Sequence, residues 1–515
     1  VFNITSKAAT SADETFLLPE QVKEITLTFL EGATNKIYFK AKDSEQFTGT
    51  LTIENEADPI SIDINLPDGS AVVKGSFSDI TATTADNTLV ISEGANVTAL
   101  TVNGGNVEVY GEVESITKKN ASSVFTRHLS TTETFNAFAK SLNGNNGNTI
   151  YDKVVLDTDL DFSGKTIEKI SRASNFILDG QNHKIANYSI ESNTQSAGLF
   201  CDAITVSVSN LTLENAHVKA VNDGNGNAYA GALIGRSYGS IVLNNINVAN
   251  PIIEGINKVG GLMGFVAEND VTATGCSVTG GVITTTNVEG ESGQCGGLIG
   301  YLGNSGTITD CSVENTIINA YMMEDHRTIS KFIGCLQGLQ ATDVLKIDNC
   351  TVKNVTLNGL NEMAASHVSI YGDLLGGQRG GNGTVTITNC DDAIYINNAG
   401  QLRNLASIAN ENDKGKILTK KTVKLTADID LSGENWVPMN CFSAHNFVFD
   451  GQGHTINNMS AINNVNYGNG FFLNIVSSSV KNVTFDHAAV KRRDNAYTFS
   501  GNVSVSYTHL TLPTN

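Results

Sequence analysis

Five segments closing on glycine line up through the middle of this chain: Gly231-Ala-Leu-Ile-Gly235, Gly260-Gly-Leu-Met-Gly264, Gly296-Gly-Leu-Ile-Gly300, Lys331-Phe-Ile-Gly334 and Gly372-Asp-Leu-Leu-Gly376. Their closing glycines are 29, 36, 34 and 42 residues apart (264 − 235, 300 − 264, 334 − 300, 376 − 334). A second marker follows each of them: Asn245-Ile-Asn-Val248, Gly275-Cys-Ser-Val278, Asp310-Cys-Ser-Val313, Asn349-Cys-Thr-Val352 and Asn389-Cys390. Asn210-Leu-Thr-Leu213 and Asn482-Val-Thr-Phe485 fit the same column. Self-similarity at such a period is the signature of a repeat architecture.

The residues between markers alternate with period two and favour Val, Ile and Thr, which is strand chemistry. Asn, Asp or Gly stands at the head of each second marker, the types that tolerate a left-handed backbone at a tight bend. Short strands with a bend at a fixed place, once per 29–42 residues, predict an all-β chain wound as a parallel solenoid. Each coil pairs with the next about 4.8 Å along the axis. Unequal spacing then reflects loops of different length.

Cys276, Cys311, Cys350 and Cys390 occupy the column position that Leu211, Ile246 and Val483 fill elsewhere. A site that accepts Leu, Ile, Val or Cys is inward and apolar, where a free thiol acts as a small hydrophobe. Buried thiols are the reading taken, ahead of a disulfide ladder and of zinc, since no CxxC or His cluster accompanies the column.

A longer duplication recurs at an offset of 269–272 residues. Val154-Val-Leu-Asp-Thr-Asp-Leu-Asp-Phe-Ser-Gly164 matches Val423-Lys-Leu-Thr-Ala-Asp-Ile-Asp-Leu-Ser-Gly433, and Asn175-Phe-Ile-Leu-Asp-Gly-Gln-Asn-His183 matches Asn446-Phe-Val-Phe-Asp-Gly-Gln-Gly-His454. Each copy follows a helix signal. Ser130-Thr-Thr-Glu133 reads as a capping box ahead of Phe135, Phe138, Ala139 and Leu142, and the counterpart carries Leu402, Leu405, Ala406 and Ile408. Both helices are expected to be N-terminal caps, because a solenoid must cover its first coil. The expected organisation is a β-rich segment over 1–124 (short-coiled solenoid or sandwich), a first β-helix over 125–397, a second, truncated one over 398–504, and a non-native tail over 505–515. That tail resembles the translated adapter sequence that contaminates assembled sequencing reads.

Taken together, the Gly-Gly-Leu-Ile-Gly, Asp-Ile-Asp-Leu-Ser-Gly and Phe-Asp-Gly-Gln-Gly-His motifs resemble those of GLUG-motif repeat proteins of bacterial cell surfaces, over about 125–505. Residues 60–120 are similar to β-rich leaders of secreted Bacteroidetes proteins. The resemblance implies a right-handed parallel β-helix, export, and adhesin-like or carbohydrate-facing roles. It supplies no catalytic set, and Lys331-Phe-Ile-Gly334 and Gly372-Asp-Leu-Leu-Gly376 depart from its pattern.

Charge narrows the partners. With 33 Lys+Arg against 52 Asp+Glu the formal net charge is −19, which argues against nucleic acid and anionic membranes. No apolar run approaches the roughly 18 residues that span a bilayer. A glycan or a host or cell-surface protein remains as partner, to a chain read as a monomer outside the cell. No cofactor is assigned. Calcium is weighed at Asp157, Asp159 and Asp161, which alternate as on one strand face, and at Asp428 and Asp430, but not assigned. Asp179 with His183, and Asp450 with His454, read as structural turn residues, because one catalytic centre would not need both. Gly235-Arg-Ser-Tyr-Gly239 matches the serine-hydrolase elbow by composition alone, with no helix signal after it. Binding is assigned instead to the loop insert Tyr321-Met-Met-Glu-Asp-His-Arg327, specifically Tyr321, Glu324, Asp325, His326 and Arg327, since loops on a rigid scaffold carry function. The leading reading is a non-catalytic surface or secreted scaffold. A carbohydrate-active β-helix enzyme and a passive stalk are its alternatives.

Overall fold

The bend residues take the backbone that the sequence asks of them. Asn210, Asn245, Asp310, Asn349 and Asn389 have φ of 53°, 54°, 54°, 52° and 55°, and Gly275 stands at 63°. A second bend column follows five residues later at Asn215, Asn250, Gly280, Asn315 and Asn354. Side-chain amides link successive coils there: Asn215 Nδ2 donates to Asn187 Oδ1 at 2.8 Å, and Asn354 Nδ2 to Asn315 Oδ1 at 3.2 Å. Asparagine thus satisfies its own amide while holding the left-handed turn.

This computed structural model describes residues 13–30, 35–42, 46–221, 227–267, 270–286, 293–321, 329–360, 374–376, 378–381, 383–391, 393–411, 418–419, 421–463 and 470–492. The chain divides into two compact units, Val1–Ala186 with Thr205–Thr212, and Asn187–Ile204 with Leu213–Asn515. Within both, the strand pairs among the described residues are parallel, so the protein is an all-β solenoid-like fold.

In the first unit the early coils are short. Thr50 pairs with Ser70, Ser76 with Asn96, and Asn96 with Glu112, steps of 20, 20 and 16 residues. Phe29, Phe39, Leu51, Ile53, Ile62 and Leu89 fill the interior at 0% exposure. No break in pairing accompanies residue 125: strand Phe125–Leu129 pairs with Asn96–Val109 on one side and Lys153–Leu156 on the other. Helix α1 (Thr132–Gly144) therefore crosses between two paired parallel strands. It does not cover a free first coil, as a cap would, because coils already precede it. It buries Phe135, Phe138, Ala139 and Leu142, packing Phe138 against Phe176 and Phe135 against Phe162. Its capping box sits one residue later than the sequence suggests. Thr131 Oγ1 accepts the Thr134 N–H at 3.1 Å, and Thr134 Oγ1 accepts the Thr131 N–H at 3.0 Å. Glu133 is drawn away to Lys165 at 3.2 Å.

In the second unit the coils lengthen. Ile234, Met263, Ile299 and Ile333 stack in register, steps of 29, 36 and 34 residues (263 − 234, 299 − 263, 333 − 299). These equal the first three spacings of the glycine motif. The motif is steric: a Cβ on Gly300 would stand 2.5 Å from the Val259 backbone nitrogen, and one on Gly260 would stand 2.1 Å from the Met263 carbonyl oxygen. Ile253, Ile283 and Ile318 form one dry column at 0% exposure, and Val248, Val278 and Val313 another. Burying each such side chain contributes roughly 1.5–3 kcal/mol. The cysteine column is Cys276, Cys311 and Cys350, at most 1% exposed, and half-buried Cys390. All eight cysteines are free thiols. Helix α2 (Ala399–Glu411) follows strand Ala393–Ile396, which pairs with Thr422–Leu425. Among the described residues no helix is long and apolar enough to cross a membrane.

Candidate functional site

The expected turn residues act on their surroundings through hydrogen bonds. Asp179 accepts from the Gln181 N–H (3.0 Å), from Asn210 Nδ2 (3.2 Å) and from Lys153 (3.1 Å). Asp450 does the same with Gln452 (3.1 Å), Asn482 (3.0 Å) and Lys481 (3.3 Å). Burial opposes ionisation of both, yet these donors outweigh it and hold each carboxyl below its ordinary range. His183 Nδ1 meets Asp159 at 3.0 Å, and His454 Nδ1 meets Asp428 at 3.2 Å. The three aspartates weighed for calcium do not share a strand face: Asp157 faces His128, Asp159 faces His183, and Asp161 caps Ser163. Each has a separate partner, so their oxygens do not converge.

Of the residues assigned to binding, Tyr321 is half-buried and its N–H donates to Thr285 Oγ1 at 2.8 Å. Glu324, Asp325, His326 and Arg327 lie outside the described residues. Ser237, in the hydrolase-like pentapeptide, is fully buried, so no substrate reaches its hydroxyl. Its neighbours Arg236 and Tyr238 matter more.

Two columns of side chains meet beside the glycine motif. Tyr229, Lys258 and Gln294 stand in register six residues before closing glycines 235, 264 and 300. Asp202, Arg236, Phe265, Tyr301 and Cys335 stand in register in the other column, the last four directly after a closing glycine. Phe265 lies edge-on to Tyr229 (centroids 4.8 Å apart) and to Tyr301 (4.9 Å). The Lys258 ammonium sits over all three rings, at 4.7 Å from Tyr229, 4.9 Å from Phe265 and 5.5 Å from Tyr301. Each such cation–π contact contributes about 0.5–1 kcal/mol where exposed and ~2 where desolvated. The Arg236 guanidinium stacks 3.8 Å over Tyr238, donates from Nη1 to Gln195 Oε1, and lies 3.7 Å from Asp202. Tyr229 and Tyr301 are buried walls, whereas Phe265, Tyr238, Arg236 and Lys258 are half-buried. Among the described residues, buried Gln294 Oε1 and Arg236 Nε have no hydrogen-bond partner.

Sequence reasoning missed this ladder. Its signal was the residue after each closing glycine, read across coils as Arg, Phe, Tyr rather than as an identity. A second missed cluster lies in the first unit. His128 is held between Glu108 (Nε2, 2.6 Å) and Asp157 (Nδ1, 2.9 Å), with its ring stacked 3.9 Å from Tyr110. Burial, then the charges of Asp157 and Glu108, push the Tyr110 hydroxyl pKa up.

These features define a parallel β-solenoid with an aromatic–cationic strip on its coils. One curated protein is similar to part of it. Halomucin of Haloquadratum walsbyi (strain DSM 16790 / HBSQ001) is 27% identical over 184 residues, which cover 35% of this chain and 2% of halomucin. No family model matches the chain. No solved structure matches it.

Proposed function

We propose that this protein is a non-catalytic surface or secreted scaffold of the GLUG-repeat type, adhesin-like, which presents a recognition strip to a glycan or host partner. In this reading the coils wind right-handed and residues 398–504 are a second β-helix that matches the preceding one in sequence. The observation that carries it is the ladder of Tyr229, Lys258, Phe265 and Tyr301, where one ammonium lies over three rings contributed by successive coils. A rigid, dry interior lets outward columns vary at little cost to stability. The similarity to halomucin is compatible with a surface protein. A glycan and host-protein array, run beside assays for reducing ends and unsaturated sugars, tests it. Retention of a ligand without product is expected. Turnover, lost on Glu324→Gln or Asp325→Asn, would replace this reading with a carbohydrate-active enzyme. Binding to nothing on the array would leave a stalk.

A further inference from the structure

Resting on that recognition reading, we infer that Arg236, Tyr238, Lys258 and Phe265 form a subsite for a neutral polysaccharide lying along the coil axis. Three observations carry it. First, the half-buried rings of Phe265 and Tyr238 are held by their neighbours, Phe265 between Tyr229 and Tyr301 and Tyr238 under Arg236. A pyranose has one face rich in C–H groups that packs on such rings, while its hydroxyls radiate from the edge. Second, the site offers that edge hydrogen-bond donors: the half-buried Arg236 guanidinium and Lys258 ammonium stand beside the rings. Third, the strip runs along the axis. Arg236, Phe265 and Tyr301 are in register on successive coils, and neighbouring strands lie ~4.8 Å apart, close to the length of one pyranose ring in an extended chain.

Charge selects the class of saccharide. A chain of net charge −19 repels a polyanion, and Asp202 sits beside Arg236 within the subsite itself. A neutral glycan meets no such repulsion, and the Lys258 ammonium over the rings has three N–H donors for its hydroxyl oxygens.

The test is calorimetric titration of the full chain with β-1,4-linked glucose, β-1,4-linked mannose and α-1,4-linked glucose hexasaccharides, and with oligogalacturonate as the acidic probe. At least one neutral hexasaccharide is expected to bind, at least tenfold more weakly to Phe265→Ala and to Lys258→Met, and unchanged to Ile252→Thr on another face. Circular dichroism and the melting temperature of each variant separate lost binding from lost fold, and Lys258→Met preserves the packing should Phe265→Ala unfold. Failure of every neutral hexasaccharide, or binding indifferent to both ladder variants, overturns this subsite. Oligogalacturonate binding alone overturns the neutral class. Neither result touches the broader recognition reading, which falls only if the array is blank or turnover appears.

Discussion

Two openings that match in sequence, 125–186 and 393–486, share their turns and differ in their first strand. In both, an asparagine late in the helix clamps the same stretch of backbone. Asn143 bonds the Lys169 carbonyl and Ser171 N–H at 2.9 and 2.8 Å, and Asn410 bonds the Pro438 carbonyl and Asn440 N–H at 3.2 and 2.7 Å. Both use Asp–Gly–Gln turns with Gln181 and Gln452 at φ of 48° and 50°. The first strands part company. Arg127, 2% exposed, donates to the Gly111 carbonyl and pairs with Glu112 at 2.7 Å, and His128 bridges Glu108 and Asp157. The register equivalents in the second opening are Ile394 and Tyr395, because Arg127 pairs with Val154 as Ile394 pairs with Val423. A strand paired on both sides has neighbouring carbonyls and carboxylates for Arg and His to satisfy. Among the described residues, Ala393–Ile396 pairs on one side only, and there an apolar Ile and a Tyr bonded to Asp391 suffice. The turn chemistry is therefore common to the two segments, while the first strand of each suits its own neighbours.

The largest predicted effect is on the core of the second opening. Trp436 is fully buried, stacks on Phe471 at 4.9 Å and donates from Nε1 to the Phe471 carbonyl at 2.9 Å. Trp436→Ala is expected to cost about 3–5 kcal/mol in chemical denaturation, and Ile167→Ala, at the matching site, roughly 2 kcal/mol. Equal costs would mean that the two cores are packed alike.

Next come the turn aspartates. Asp450→Ala is expected to cost ~2–3 kcal/mol, since three donors lose a buried carboxylate, and Asp179→Ala less, its side chain being 21% exposed against 7%. Because the folded pKa of each is depressed, their stabilisation is complete above the unfolded carboxylate pKa of about 3.9 and is lost as pH falls through the lower folded value. Denaturation midpoints measured from pH 6 down to pH 2 should drop below about pH 4, and the drop should shrink in Asp450→Ala.

Smaller again is the exchange of first strands. Arg127→Ile imports the second opening's residue and strands the Gly111 carbonyl, for about 1–2 kcal/mol. His128→Tyr is expected to cost ~1 kcal/mol or less, while hydrogen exchange at Glu108 and Asp157 speeds up locally. A larger loss from His128→Tyr than from Arg127→Ile would reverse the ranking of the two contacts.

Much of the fold was legible because backbone geometry restricts residue choice. Only Gly fits where Gly300 meets the Val259 nitrogen, and Asn, Asp or Gly takes a φ near 50–60°, so both left a visible column. What depended on the partner of an edge was not legible. Nothing in Ser130–Glu133 says that the strand before it is already paired on both sides, so the helix read as a cap. The aromatic–cationic ladder was hidden for a related reason: Arg236, Phe265 and Tyr301 share a place and not a residue type. Alternating aspartates at 157, 159 and 161 looked like one strand face, although the strands Lys153–Leu156 and Leu160–Asp161 leave Asp157 and Asp159 between them.

The account depends on parallel, in-register coils, and distance is its most direct measure. Val242 pairs with Thr272, and Thr272 with Thr307, both outer residues exposed. Spin labels on Val242→Cys and Thr307→Cys, in a Cys390→Ser background, should lie about 10 Å apart, two strand spacings, and broaden each other's spectra strongly. Spectra equal to the sum of the two single-label spectra would show that these coils do not stack.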